Sequence, residues 1–167
     1  MKTGKSLTKK ILAGIVSAFL LAFVVVSCNK DDNNNTPAPN NNPYTLAGNA
    51  SGAQMVPAAD SSVVGTGTLS GSFNPVNNVL IYTANWAGLT GTPIAGGIYS
   101  GASGTNGAAV DTSWAFDSTF TATGNFTDTV TITADQATQL VAGNWYYLFK
   151  TEANPNGEIR GQISATR

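Results

Sequence analysis

Asn144-Trp-Tyr-Tyr-Leu-Phe-Lys-Thr-Glu-Ala-Asn-Pro-Asn-Gly-Glu-Ile-Arg-Gly-Gln-Ile163 reads as a complete β-hairpin. Pro155 is preset for the second position of a type I turn over Asn154 to Gly157, and Gly157 can take the positive φ that closes such a turn through a G1 bulge. If Asn154 pairs with Glu158, then Glu152 faces Arg160 and Lys150 faces Gln162. Tyr147 and Phe149 then share the opposite face with Ile159 and Ile163. This register predicts one core face and one charged face.

Outward from the hairpin, Thr, Ser, Gly, Val and Ala dominate, apolar residues alternate with polar ones, and turn signals recur about every ten residues. That pattern predicts an all-β domain, an antiparallel Greek-key β-sandwich or flattened barrel. Its strands are placed at 44–50, 64–73, 78–87, 94–100, 109–116, 119–132, 144–152 and 158–165. Leu80, Tyr82, Ala84 and Trp86 form a period-two stripe, and Val110, Thr112, Trp114 and Phe116 form another. One helix interrupts the pattern over 134–142. Thr133 and Gln136 have the spacing of a capping box, Ala137, Leu140 and Val141 lie on one side, and Gly143 can end the helix in the left-handed region. Gly96 to Gly107 reads as a mobile loop.

Three segments carry a family resemblance. Ala153-Asn-Pro-Asn-Gly-Glu-Ile-Arg-Gly-Gln-Ile163 resembles the closing motif of the chordin-type (CHRD) domain. Leu46-Ala-Gly-Asn-Ala-Ser-Gly-Ala-Gln-Met-Val-Pro57 is similar to that family's opening strand, and Tyr82-Thr-Ala-Asn-Trp-Ala-Gly-Leu-Thr-Gly91 to a central one. The likeness spans about Tyr44 to Arg167. Family members often carry a His-x-His before a Gly-rich loop and another His before the closing turn; here those places hold Gly97, Tyr99 and Lys150. The resemblance to an extracellular binding inhibitor implies an extracellular protein or polysaccharide as partner.

The start of the chain predicts an address. A basic tip (Lys2, Lys5, Lys9, Lys10) precedes an uncharged apolar run from Ile11 to Val26, then Ser27 and Cys28. The run is 16 residues, short of the ~20 that span a bilayer as a helix, and reads as a signal peptide over 1–27. Val25-Val-Ser-Cys28 resembles a bacterial lipobox, which implies acylation of Cys28, the only cysteine. Membrane attachment through several acyl chains follows, at ~0.8 kcal/mol per buried CH₂. Lys30, Asp31 and Asp32 are similar to a signal that sends bacterial lipoproteins to the outer cell surface; their other reading is a solvated charge cluster. The stretch to Pro43, rich in Asn and Pro, predicts a disordered tether before the domain at 44–167.

Beyond the signal peptide, four basic residues (Lys30, Lys150, Arg160, Arg167) stand against nine acidic ones, a net charge of −5. That balance argues against nucleic acid as a partner. The chain has no histidine, which removes the Ser-His-Asp triad, the Cys-His pair and any imidazole base. Zinc and copper sites rest on imidazole or thiolate ligands, so no metal or cofactor is expected. Calcium needs oxygen alone, but Asp111, Asp117 and Asp128 match no calcium-loop spacing.

Glu152 and Glu158 are the one pair that invites a glycosidase reading. With Arg160 beside both, they are expected as a surface ion-pair network, since a general acid needs one pKa pushed upward. Trp86, Trp114, Trp145 and Tyr147 lie in alternating stripes and are assigned to the core. Tyr99, Lys150, Glu152, Arg160 and Gln162 remain as a candidate binding patch. The expected function is non-catalytic binding or structural presentation by a lipid-anchored envelope protein. The alternatives are a carboxylate-dependent enzyme of envelope glycans and a metal-handling domain that has lost its histidines.

Overall fold

The structure, a computed structural model, describes residues 40–112 and 114–167. The expected signal peptide, Cys28, the Lys30-Asp31-Asp32 cluster and most of the tether lie outside the described residues. Eight antiparallel strands form one sheet curled into a half-barrel: β1 (Tyr44–Ser51), β2 (Thr66–Asn74), β3 (Val79–Ala87), β4 (Pro93–Ser100), β5 (Ala109–Asp111), β6 (Gly124–Thr131), β7 (Trp145–Thr151) and β8 (Ile159–Thr166). Their order across the sheet is β5-β4-β7-β8-β1-β2-β3-β6. Chain neighbours β1, β2 and β3 form a meander, and β7 and β8 form the closing hairpin.

Alternation decides which side chains fill the hollow. From β3 come Leu80, Tyr82, Ala84 and Trp86, all buried, as their period-two stripe predicts. Leu46, Leu69, Phe73, Ile98, Trp145, Tyr147, Phe149, Ile159 and Ile163 join them in one core. The aromatic assignment therefore holds: Trp86, Trp114, Trp145 and Tyr147 are all interior. Trp86 meets Phe149 at 5.0 Å and Phe116 edge-on at 5.5 Å, geometries that add to burial.

The expected strand over 109–116 is cut short at Asp111, and β6 begins at Gly124 rather than 119. The intervening segment crosses from one edge of the half-barrel to the other. Trp114 and Phe116 alternate as a strand would, yet they fill the opening instead. Trp114 packs on Phe126 and Phe149, and its Nε1–H donates to Tyr82 Oη at 2.6 Å. Tyr82 in turn donates to Asp111 Oδ2 at 2.6 Å, so β3 and β5, far apart in strand order, are joined through side chains. Burial, followed by the Asp111 hydrogen bond, raises the Tyr82 pKa well above its ordinary value, with the Trp114 N–H opposing.

The helix α1 (Ala134–Val141) forms where expected. Thr133 Oγ1 accepts from Gln136 N while Gln136 Oε1 accepts from Thr133 N, a reciprocal capping box. Gly143 ends it at φ 74°. Gly96 and Gly97 belong to β4 and not to a loop. A Cβ at Gly96 would lie 2.6 Å from Trp114 Cε3, so glycine there makes room for the tryptophan.

Candidate functional site

The closing hairpin is also where the chemistry gathers. The turn forms as predicted, with Gly157 N–H donating to Asn154 O at 3.0 Å and Gly157 at φ 133°. The register differs by four residues. Leu148, not Glu152, stands opposite Arg160, and Tyr146, not Lys150, stands opposite Gln162. Ladder pairing stops at Phe149–Ile159 because Thr151 and Asn154 bond to each other and lengthen the loop. An even shift preserves faces, so Tyr147, Phe149, Ile159 and Ile163 remain interior.

Glu158 holds that longer loop. Its side chain is fully buried, and its oxygens accept from Thr90 N (2.7 Å), Thr90 Oγ1 (2.7 Å), Thr151 Oγ1 (2.6 Å) and Asn154 Nδ2 (3.3 Å). The carboxylate thus fastens the β3–β4 connection to the hairpin. The expected Glu152–Arg160–Glu158 surface network is not formed. Glu158 is an interior fastener, while Glu152 is exposed and lines an open 690 Å³ groove with Thr92, Ile94, Phe116, Asp117 and Ser118.

Arg160 departs furthest from expectation. It is 2% exposed on the outer face of the sheet, where a charged, solvated surface is predicted. Tyr146 (2%) and Leu148 (6%) are buried with it. The β1–β2 and β4–β5 connections cover this face and are tied together by Asn106 Nδ2 donating to Val56 O at 2.8 Å. Arg160 Nη2 donates to Thr105 O (2.8 Å), Ala102 O (3.3 Å) and Gln162 Oε1 (3.4 Å). Its guanidinium lies 3.7 Å above the Tyr146 ring centre, a cation–π contact. Burial is the main cause lowering its pKa. Nη1 is buried without a hydrogen-bond partner.

Gln162 completes the arrangement. Its Nε2 donates to Gly101 O at 2.9 Å and to Gly143 O at 2.8 Å, tying the start of the β4–β5 connection to the end of α1. Tyr99 stacks on Tyr146 at 5.4 Å, and its pKa is raised mainly by burial. Of the five patch residues, the structure therefore gathers Tyr99, Arg160 and Gln162 around Tyr146. Lys150 shares their face by alternation but pairs with Ala95, and Glu152 lies on the separate groove.

Tyr146 was missed. The consecutive Tyr146 and Tyr147 place one tyrosine on each face of β7, a signal that both faces are covered. Also missed were the walls over Arg160: Ala53, Gln54, Met55 and Val56 on one side and Ser103 and Gly104 on the other enclose a 240 Å³ cavity floored by Arg160 and Gln162. Among the described residues no group of three or more metal-ligating side chains comes together. Asp117 Oδ1 instead accepts from Thr119 N and Oγ1, and Asp128 Oδ1 from Thr129 N.

A half-barrel of antiparallel strands, closed by a hairpin whose polar residues fasten loops, defines an all-β domain. The CHRD domain model matches residues 46–163, and the chain belongs to the CHRD-domain family. No match was found among curated proteins or among solved structures. At the family level the CHRD domain fits a non-enzymatic binding or structural domain.

Proposed function

We propose that this chain is a lipid-anchored cell-envelope protein that binds or structurally presents, without catalysis. Acyl chains on Cys28 hold it to the membrane, Lys30, Asp31 and Asp32 direct it to the outer membrane facing outside, and residues 29–43 give it reach. Its partner is an extracellular protein or polysaccharide. The observation that carries the non-catalytic reading is the use made of the buried charges. Glu158 is occupied by Thr90, Thr151 and Asn154, and Arg160 Nη2 by backbone and amide oxygens. Glu152 is exposed on the groove while Glu158 is fully buried and engaged by four donors, which supports reading Glu158 as a fastener and not as one of a glycosidase carboxylate pair.

Protease treatment of intact cells tests the address. Cleavage in the tether before lysis, with loss of membrane association in Cys28→Ser, is the expected result. Protection until lysis would place the domain inside the envelope, and a Cys28→Ser protein that stays membrane-bound would remove the acyl anchor.

A further inference from the structure

Arg160 stands on the floor of a cavity and, among the described residues, no carboxylate is bonded to it. A buried guanidinium is ordinarily paired with a carboxylate, because withdrawing its charge from water is costly. Here Nη2 is divided among three neutral oxygens and Nη1 has no partner. The other walls of the cavity are Ala53, Gln54, Met55, Val56, Ser103, Gly104 and Gln162, without an acidic residue. Gln54 is engaged elsewhere: its Nε2 donates to Asn49 O and its Oε1 accepts from Gln162 N. Among the described residues the one charge lining this space is positive, in a chain whose net charge is negative.

We propose that the cavity over Arg160 binds a small oxyanion, a carboxylate or phosphate group, with Arg160 Nη1 as its charged donor. The inference deepens the binding role proposed above and rests on it. A hydrogen bond between two charged partners is about twice as strong as a neutral one, so an oxyanion offers this guanidinium what the loop carbonyls do not. The volume, 240 Å³, falls below the ~300–1,000 Å³ of drug-sized sites, which selects a small ligand. Nη1 has no accessible surface, so on this proposal the chain around it shifts to admit the anion, and the Gly101–Gly107 connection, whose Ala102 and Thr105 carbonyls accept from Nη2, is the wall expected to lift. One side-chain bond, Asn106 Nδ2 to Val56 O, ties it to the opposite wall.

The test is a nitrogen-15 NMR titration of the full chain in detergent with sodium acetate and, separately, with sodium phosphate, sodium chloride holding ionic strength constant. Saturable shifts at the Ser103 and Gly104 amides and at Arg160 Nε–H are expected, with chloride alone giving none. Acetate and phosphate arms distinguish the two oxyanions. Arg160→Lys keeps a charge but not the fork, and should weaken binding by at least about tenfold. Should that variant fail to fold, Asn106→Ala decides: it leaves Arg160 in place, and exchange should quicken with affinity within about threefold, because a lost latch acts on rates. Shifts that match chloride, that avoid these residues, or that persist in a folded Arg160→Lys would overturn the site. Protease release from intact cells does not depend on this titration, so a failed anion site leaves the surface address standing and a failed address leaves the site standing.

Discussion

A glutamate with no exposed surface is tolerable only when its oxygens are engaged, and Glu158 has four donors within hydrogen-bond distance. Truncation to alanine leaves the Thr90 N–H, two hydroxyls and an amide facing a void. Glu158→Ala should therefore cost about 3 kcal/mol or more. Glu158→Gln should cost less, about 1–2 kcal/mol, because hydroxyls can turn to accept from the new amide. Exposed Glu152→Gln should stay within about 0.5 kcal/mol. Urea midpoints of the three variants at unchanged m-value check the order, and a Glu158→Ala midpoint equal to that of Glu152→Gln would contradict it. Gly161 shows the same economy of space: a Cβ there would lie 2.6 Å from Tyr147 Cε1 and 2.7 Å from Asn49 O. Gly161→Ala should cost about 1–3 kcal/mol by overpacking, read from its urea midpoint in the same way.

Elements whose causes are local were legible, and those whose causes are distant were not. The helix needed only Thr133, Gln136 and Gly143, neighbours in sequence, and it formed with its capping box complete. Thr133→Ala should cost about 1 kcal/mol, measurable by denaturation, while an unchanged midpoint would mean that packing of Leu140 alone holds the helix. The hairpin turn was legible for the same reason, but its register rests on Thr151 and Asn154 bonding each other around a Glu158 that also reaches Thr90, across 68 residues. Strand-like alternation in 109–116 was real, yet Trp114 and Phe116 are needed to fill the opening of a curled sheet, a demand that no local window records. The patch was half legible. Tyr99, Arg160 and Gln162 do share a face, but that face is covered by chain from the β1–β2 and β4–β5 connections, so a surface charge became a buried one.

At the scale of the molecule, tyrosine chemistry sets the alkaline limit. Tyr82 and Tyr147 are interior, and burial is the largest cause raising the pKa of each; Tyr147 donates to Gly48 O at 3.2 Å. In the unfolded chain a tyrosine ionises near pH 10. Folded values above that mean the native state keeps protons which the unfolded state gives up. The stabilisation is fully present below about pH 10 and is lost as pH rises from there toward the folded values, by up to about 1.4 kcal/mol per unit for each tyrosine. These groups, with Tyr99, whose pKa burial also raises, work against the native state as pH rises above 10, where a domain of about 5–15 kcal/mol stability is expected to unfold cooperatively. Tyrosinate absorbance from these residues should then rise in the same step as loss of the near-ultraviolet circular dichroism signal. Tyr147→Phe removes one titrating group and one long hydrogen bond while leaving the Trp114–Tyr82–Asp111 chain across the seam intact. Its stability should fall less steeply above pH 10. An unchanged slope would show that Tyr147 ionises within the folded half-barrel and that its interior admits water at high pH.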